Sequence, residues 1–184
     1  MKYIAIILIF SLIHTNAVSQ EIPPAPGNKA VVYFVRTSGL GFAINFTYLD
    51  SATLIAKTNG TNYIRYECEP GHHLFWVRSE NKDFVEAEVE AGKIYFLEAV
   101  PQMGAIKAAV QLRTVDPSDK KTMDRILKFM NKKGPETITA EELQKEAEAS
   151  KDVIQRGLDK YAEEKGKNKK TERLEKNMYY TPGS

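Results

Sequence analysis

The sequence contains only one cysteine, Cys68, in 184 residues, and this excludes an intrachain disulfide. A single thiol in a secreted chain is either buried or paired with another molecule. Strand periodicity places Cys68 on the same apolar face as Ile64 and Tyr66, and a free cysteine behaves as a small hydrophobic residue. We therefore predict a buried thiol rather than an intermolecular disulfide.

Histidine is also scarce, and only His72 and His73 follow the N-terminal segment. Adjacent residues of a strand point to opposite faces, so these two do not easily bind one metal ion together. A serine or cysteine hydrolase would need one of them as its base, and no motif supplies the other members. The sequence also has no phosphate-binding loop, dinucleotide fingerprint or zinc spacing. We predict no catalytic residue, no metal site and no cofactor, with an exported enzyme as the weakest alternative.

The chain has little net charge, with a formal value of +2 at pH 7. So mild a balance does not indicate nucleic acid or an anionic membrane as partner. The basic segment 165–176 lacks interleaved aromatic residues and an enrichment in arginine, which is typical of a solvated chain end. We predict that nucleic acid is not a partner.

The one long apolar run lies at the start of the chain, from Ile4 to Ile13. It follows Lys2 and precedes Ala17-Val18-Ser19, the order of basic region, apolar region and cleavage site that characterises a signal peptide. The run is about half the ~20 residues that a membrane-spanning helix needs. We predict that residues 1–19 are removed before Gln20. The protein would then be exported to the periplasm or the extracellular space without a transmembrane anchor, and a retained anchor is the alternative.

The residues that follow predict a linker and then a β-rich domain. Residues 20–28 contain three prolines, which exclude a helix or a central strand. Residues 29–115 contain seven or eight short strand patterns, with turn residues every 8 to 12 positions or so. Phe84 to Glu90 alternates most clearly, with apolar residues on one face and Glu86, Glu88 and Glu90 on a face expected to be solvated. The spacing predicts a mainly β fold, an antiparallel β-sandwich of the immunoglobulin or transthyretin type.

Two turns are encoded by their residue pairs. Asn59-Gly60 favours a type I′ turn, so we expect the strands on either side of it to form a hairpin. Pro70-Gly71 favours a type II turn, which splays a hairpin and therefore predicts a corner where the chain changes sheet. His73, which opens the next strand, is expected to bond a neighbouring backbone group.

Residues 116–166 predict two amphipathic helices. Asp116-Pro117 is typical of a helix start, and Thr139 to Glu142 forms a capping box before a longer helix. The apolar stripes are narrow, so the helices could dock on the sandwich, on a partner or on each other. Residues 167–184 predict a basic, disordered tail.

Aromatic residues are concentrated in the strands. Trp76, Tyr63 and Tyr66 are candidates for stacking against a sugar or a peptide. The alternative is that they belong to the core or to cross-strand pairs, as aromatic residues at strand spacing usually do.

Several segments together resemble a known family. They are Tyr48-Leu49-Asp50, Asn59-Gly60-Thr61-Asn62-Tyr63, Pro70-Gly71-His72-His73, Trp76, Ser79-Glu80-Asn81 and Ala91-Gly92-Lys93-Ile94-Tyr95-Phe96. In order and spacing they resemble the bacterial domain-of-unknown-function family 2846, which is similar to the PEGA-type and transthyretin-like β-sandwiches of exported envelope proteins. The resemblance covers about residues 29–113 and gives His73 the recurrent histidine position of a Pro-Gly-x-His turn.

The resemblance implies no catalytic residues. The chain departs from the family in Asp50-Ser51, where Asp-Gly is usual, in having no lipid-anchor cysteine, and in its helical extension. We expect a non-catalytic interaction or scaffold module of the bacterial envelope or secreted space, with a protein or glycan as its unknown partner. The alternative is a β-sandwich that binds glycans or peptides.

Overall fold

The computed structural model describes residues 22–103 and 108–183. The predicted signal peptide, residues 1–19, lies outside the described residues. The described part is mainly β. Its elements are β1 (Ala30–Arg36), β2 (Phe46–Asp50), β3 (Thr53–Thr58), β4 (Asn62–Cys68), β5 (Gly71–Arg78), β6 (Lys82–Val89), β7 (Ile94–Met103), β8 (Ala108–Thr114), α1 (Lys120–Met130), α2 (Ala140–Gly166) and β9 (Glu172–Leu174).

The strands form two mixed sheets. One has the order β4-β1-β7-β8 and the other the order β3-β2-β5-β6-β9. Residues 29–115 contain eight strands, as predicted, and β9 of the C-terminal segment is a ninth. The expectation that all strands are antiparallel is wrong, because β1 pairs with β7 and β6 pairs with β9 in parallel. Parallel neighbours need a long crossover. Between β1 and β7 the chain forms β4 and four strands of the other sheet, and between β6 and β9 it forms β7, β8 and both helices.

The hairpin expected at Asn59-Gly60 is not formed. β3 pairs with β2, whereas β4 pairs with β1 along its whole length, so the chain changes sheet between them. A type I′ turn needs positive φ at both central residues, and only Gly60 has it, at 64°. The Gly60 amide donates instead to the Phe42 carbonyl oxygen, at 2.8 Å. By contrast, Pro70-Gly71 is a corner as predicted, since β4 and β5 lie in different sheets.

The largest core cluster takes its side chains from both sheets. The inward residues of β1 and β4 contribute Val32, Phe34 and Ile64, and those of β2 and β5 contribute Tyr48 and Phe75. The Phe34 ring contacts both Tyr48 and Phe75, with ring centroids 5.5 Å apart in each pair. Aromatic contacts of this kind add to the free energy gained from apolar burial, and they hold the two sheets against one another.

Each helix covers the outer face of one sheet. Met123 and Ile126 of α1 are buried against Tyr33 of the four-stranded sheet, and Ile154 of α2 is buried against Trp76 of the five-stranded sheet. The helices therefore dock on the sheets. No helix within residues 22–103 and 108–183 is both long and apolar enough to cross a membrane.

The predicted N-terminus is confirmed for one of the two helices. Thr139 and Glu142 form the predicted capping box of α2. The other helix begins after Asp119, whose carboxylate accepts from the Thr122 amide at 3.1 Å. Asp116 was expected at this position but closes a preceding turn, in which its carboxylate accepts from the Ser118 amide.

The C-terminal tail is ordered in this structure, so the prediction of a disordered tail is wrong. Leu174 of β9 is 1% exposed and belongs to the core cluster shared by the sheets. Further along, the Tyr180 amide donates to the Ile94 carbonyl oxygen at 2.7 Å. The Tyr180 ring also packs on Phe96, with ring centroids 5.6 Å apart. A few apolar side chains among many lysines are sufficient to dock the tail.

We expect Leu174→Ala to lower the free energy of unfolding by about 2 kcal/mol, because the substitution leaves a cavity in the shared core. Glu175→Ala, one residue further, is the control and should cost no more than about 0.5 kcal/mol, because its side chain is exposed. The measurement is the denaturant midpoint of each variant. Equal midpoints for both variants would show that the tail does not contribute to the core.

Candidate functional site

The structure places an aspartate and a histidine side by side on neighbouring strands. Asp50 is the last residue of β2 and lies opposite Phe75 of β5. His73 is two residues before Phe75 and therefore on the same face of β5. The His73 ring is stacked on the Phe75 ring, with centroids 5.2 Å apart. The side chains of Asp50 and His73 are only 11% and 13% exposed, so the pair is largely shielded from water.

Both ring nitrogens of His73 are engaged. Nδ1 lies 2.7 Å from Asp50 Oδ2, and Nε2 lies 2.8 Å from the backbone oxygen of Glu69. A carboxylate and a carbonyl oxygen only accept hydrogen bonds, so both nitrogens donate and the ring is an imidazolium. The hydrogen bond to Asp50 raises the pKa of His73 from 6.5 to about 10, and the Cys68 side chain and the Glu69 carbonyl act in the same direction. The bond to Glu69 is the backbone contact expected of this histidine.

Tyr66 and Cys68 complete the group, which we call the Asp50–His73 cluster. The Tyr66 hydroxyl donates to Asp50 Oδ2 at 3.2 Å. Burial, together with this carboxylate, raises the pKa of Tyr66. Cys68 is buried in the shared core, as predicted. At neutral pH neither ring of the cluster is a free base, because the imidazolium has no lone pair and the phenol keeps its proton.

A groove of about 430 Å³ opens between β5, β6, β9 and α2, and His73 of the Asp50–His73 cluster is one of the residues that border it. We call it the β9 groove, because pairing of β9 with β6 forms one of its walls. The side chains that line it are mostly polar. They include Ser51, His72, Leu74, Glu86, Glu88, Tyr161, Arg173 and Glu175.

The carboxylates of the β9 groove differ in their partners. Tyr161 and Lys165 of α2 both donate to Glu86 Oε1 at 2.6 Å. Lys165 first, and then Tyr161, lower the pKa of Glu86. The prediction that β6 turns a solvated glutamate face to water is wrong here, because α2 and β9 lie against Glu86 and leave it 24% exposed. Glu88 is opposite the exposed His72 in the pairing of β5 with β6. A carboxylate, an imidazole and the Arg173 guanidinium thus line a groove that suits a polar ligand.

The aromatic residues predicted to stack on a ligand lie elsewhere. Trp76 is fully buried beneath α2, and its Nε1 donates to the Ser51 carbonyl oxygen at 2.9 Å. Tyr63 is 5% exposed and packs near Tyr33. The stacking prediction is wrong for both, because both rings are buried and a ligand cannot reach their faces. Tyr66 is half-buried with its hydroxyl committed to Asp50, and stacking on it stays a prediction.

Within the described residues, no group of three or more His, Cys, Asp and Glu side chains is placed to hold a metal ion. No family model, curated protein or solved structure matches the chain. The resemblance to the domain-of-unknown-function family 2846 stays a prediction. What the protein does is therefore inferred from the geometry of the Asp50–His73 cluster and of the β9 groove.

Proposed function

We propose that the protein is a non-catalytic interaction module of the bacterial envelope or secreted space, built on a transthyretin-like β-sandwich. The observation that carries this proposal is the hydrogen bonding of His73. Its two nitrogens both donate, one to Asp50 and one to Glu69, so the ring ties the end of β2 to the corner before β5. A histidine held in this way stabilises a turn and does not accept a proton from a nucleophile.

The β9 groove is the recognition surface in this proposal. It lies on a rigid support of three strands and one helix, and Glu88, His72 and Arg173 offer both an acceptor and donors to a polar segment. Binding sites commonly combine a concave surface with a few fixed polar groups. The expected ligand is a polar protein segment. A glycan is the second candidate, favoured by the predominance of polar groups in the groove.

A photo-activated cross-linking residue in place of Glu88 tests the proposal in cells. We expect irradiation to give one discrete protein adduct, because Glu88 lines the β9 groove. The control carries the same residue in place of Lys151 of α2, whose side chain is 68% exposed and does not line this groove. A discrete adduct from position 88 but not from position 151 supports protein recognition by the groove.

The other outcomes separate the alternatives. Binding on a glycan array that is lost in Glu88→Lys would replace the protein partner with a glycan. If neither an adduct nor glycan binding depends on position 88, the groove is not the recognition surface. Turnover of an ester, peptide or glycoside substrate that is lost in His73→Gln at unchanged stability would overturn the non-catalytic function.

A further inference from the structure

The loop of residues 37–45, between β1 and β2, displays apolar side chains to solvent. Phe42 is 74% exposed and Leu40 is 44% exposed, and these are the two large hydrophobic residues that are exposed in residues 22–103 and 108–183. The three core clusters and the side chains packed against them contain most of the other large apolar residues of the described part. Clustered exposure of this kind usually marks a contact surface.

The backbone of the 37–45 loop is hydrogen-bonded to the buried guanidinium of Arg36. Arg36 is 0% exposed, and its guanidinium donates to the carbonyl oxygens of Leu40, Gly41 and Ile44 at 3.1, 2.7 and 2.9 Å. It also lies 3.9 Å above the Phe46 ring. These contacts fix the loop backbone, so the exposure of Phe42 and Leu40 is a property of an organised loop.

The charge of Arg36 is not neutralised by a carboxylate in the described residues. Its hydrogen-bond partners are carbonyl oxygens, its Nε is buried without a partner, and burial lowers its pKa. An uncompensated positive charge close beneath an apolar tip creates a positive potential there, since protein screens charge less than water does.

Two lysines of the segment that follows α1 add to this potential. Lys133 Nζ donates to the Thr61 carbonyl oxygen at 2.7 Å and to the Thr61 hydroxyl at 2.8 Å. Thr61 follows Gly60, whose amide bonds Phe42, so Lys133 stands beside the loop. Lys132 is the exposed neighbour of Lys133 in the sequence. The Glu98 carboxylate, which accepts from the Thr37 hydroxyl of the loop, is paired with Arg125 and so does not offset the charge of the lysines.

We propose that the 37–45 loop docks on an anionic phospholipid bilayer, with Leu40 and Phe42 entering the interface. The exposed Lys132 and Lys133 face the lipid, and the buried Arg36 adds its charge from beneath the loop. Interfacial anchors combine an apolar group that enters the headgroup region with cations that face anionic lipid. A protein groove would satisfy the apolar side chains equally well, but it would not require the positive charge around them. The proposal does not depend on the β9 groove or on the protein partner.

The test uses protein lacking residues 1–19, so that their apolar run does not bind lipid by itself. Phe42→Trp is mixed with vesicles of phosphatidylglycerol and phosphatidylethanolamine, and with vesicles of phosphatidylcholine. We expect the emission of the new tryptophan to shift to the blue with the anionic vesicles. The native Trp76 is buried and gives a constant background.

Vesicle flotation measures the contribution of each group. Leu40→Ser with Phe42→Ser should weaken binding about 10-fold or more, since two apolar side chains no longer leave water. Lys132→Gln should weaken binding about 5-fold at low salt, as expected for one basic residue near an anionic surface. Ala43→Ser is the control in the same loop and should bind as the unaltered protein does. All of these positions are exposed, so the variants are expected to fold.

An unchanged emission of Phe42→Trp with anionic vesicles overturns the proposal. So does binding that the double serine variant retains. Equal binding to both kinds of vesicle contradicts the electrostatic part, and shielding of residue 42 by a protein in the absence of lipid assigns the loop to a protein interface instead.

Discussion

Replacing Gly157 with valine is expected to lower the free energy of unfolding by about 3 kcal/mol or more, at the upper end of overpacking effects. A Cβ atom at position 157 would lie 2.7 Å from Trp76 Cζ3 and still closer to Cη2. Trp76 cannot yield easily, because its ring packs against Phe84 and its Nε1 is bonded to Ser51. Either α2 moves away from β5 or the indole loses its hydrogen bond.

Alanine at two glycines of the same helix separates this clash from helix propensity. Gly157→Ala should destabilise by about 2 kcal/mol, whereas Gly166→Ala should stabilise by up to about 1 kcal/mol, because a Cβ there has nothing within 4 Å. The denaturant midpoint is followed by the emission of Trp76, the one tryptophan of the chain. If Gly157→Ala is as stable as the unaltered protein, α2 does not dock on Trp76.

The local elements of this fold could be predicted from the sequence. Alternation located strands near the observed β1 to β8, and the capping box located the start of α2. The partners of these strands were not predictable in the same way. Asn59-Gly60 favours a hairpin of β3 with β4. Instead β4 pairs with β1 along its whole length, and the residues at Asn59-Gly60 do not form a type I′ turn. Pairing depends on contacts far apart in the sequence, which override the preference of a two-residue turn.

The candidate site shows the same division. The turn at Pro70-Gly71 and the hydrogen bond of His73 to a backbone oxygen follow from local chemistry. The contact of His73 with Asp50 joins residues of two different strands, and neither strand sequence contains a pattern that predicts it. The alternation of β5 predicts that the strand has two faces. It does not predict that α2 covers the face that carries Trp76. The β9 groove exists because a lysine-rich tail contains Leu174, and charge patterning alone predicts that tail to be disordered.

The stability of the protein should fall as the pH rises from about 6.5 to about 10. The folded state holds the pKa of His73 at about 10, raised from 6.5. A raised pKa means that the folded protein binds the proton more tightly than the unfolded chain does, so its contribution is complete below pH 6.5 and is lost towards pH 10. We expect a loss of about 3 kcal/mol over this range, which is less than the full linkage value because water still partly screens the pair. His73→Gln removes the titrating group, and its stability should depend much less on pH.

His73→Ala is expected to cost about 3 kcal/mol at pH 6, because it leaves the carboxylate of Asp50 largely buried with only Tyr66 as a donor and leaves the Glu69 carbonyl unpaired. His72→Ala is the matched control and should cost less than about 0.5 kcal/mol, since that side chain is exposed on the other face of β5. The two variants change the same residue type at adjacent positions, so the difference between their denaturant midpoints isolates the Asp50–His73 cluster. The cross-linking of position 88 should persist in folded His73→Ala, because Glu88 lies opposite His72 and not opposite His73 in the pairing of β5 with β6. Equal midpoints for the two variants would mean that the imidazolium does not stabilise the corner at Pro70-Gly71, and the structural assignment of His73 would then have to be abandoned.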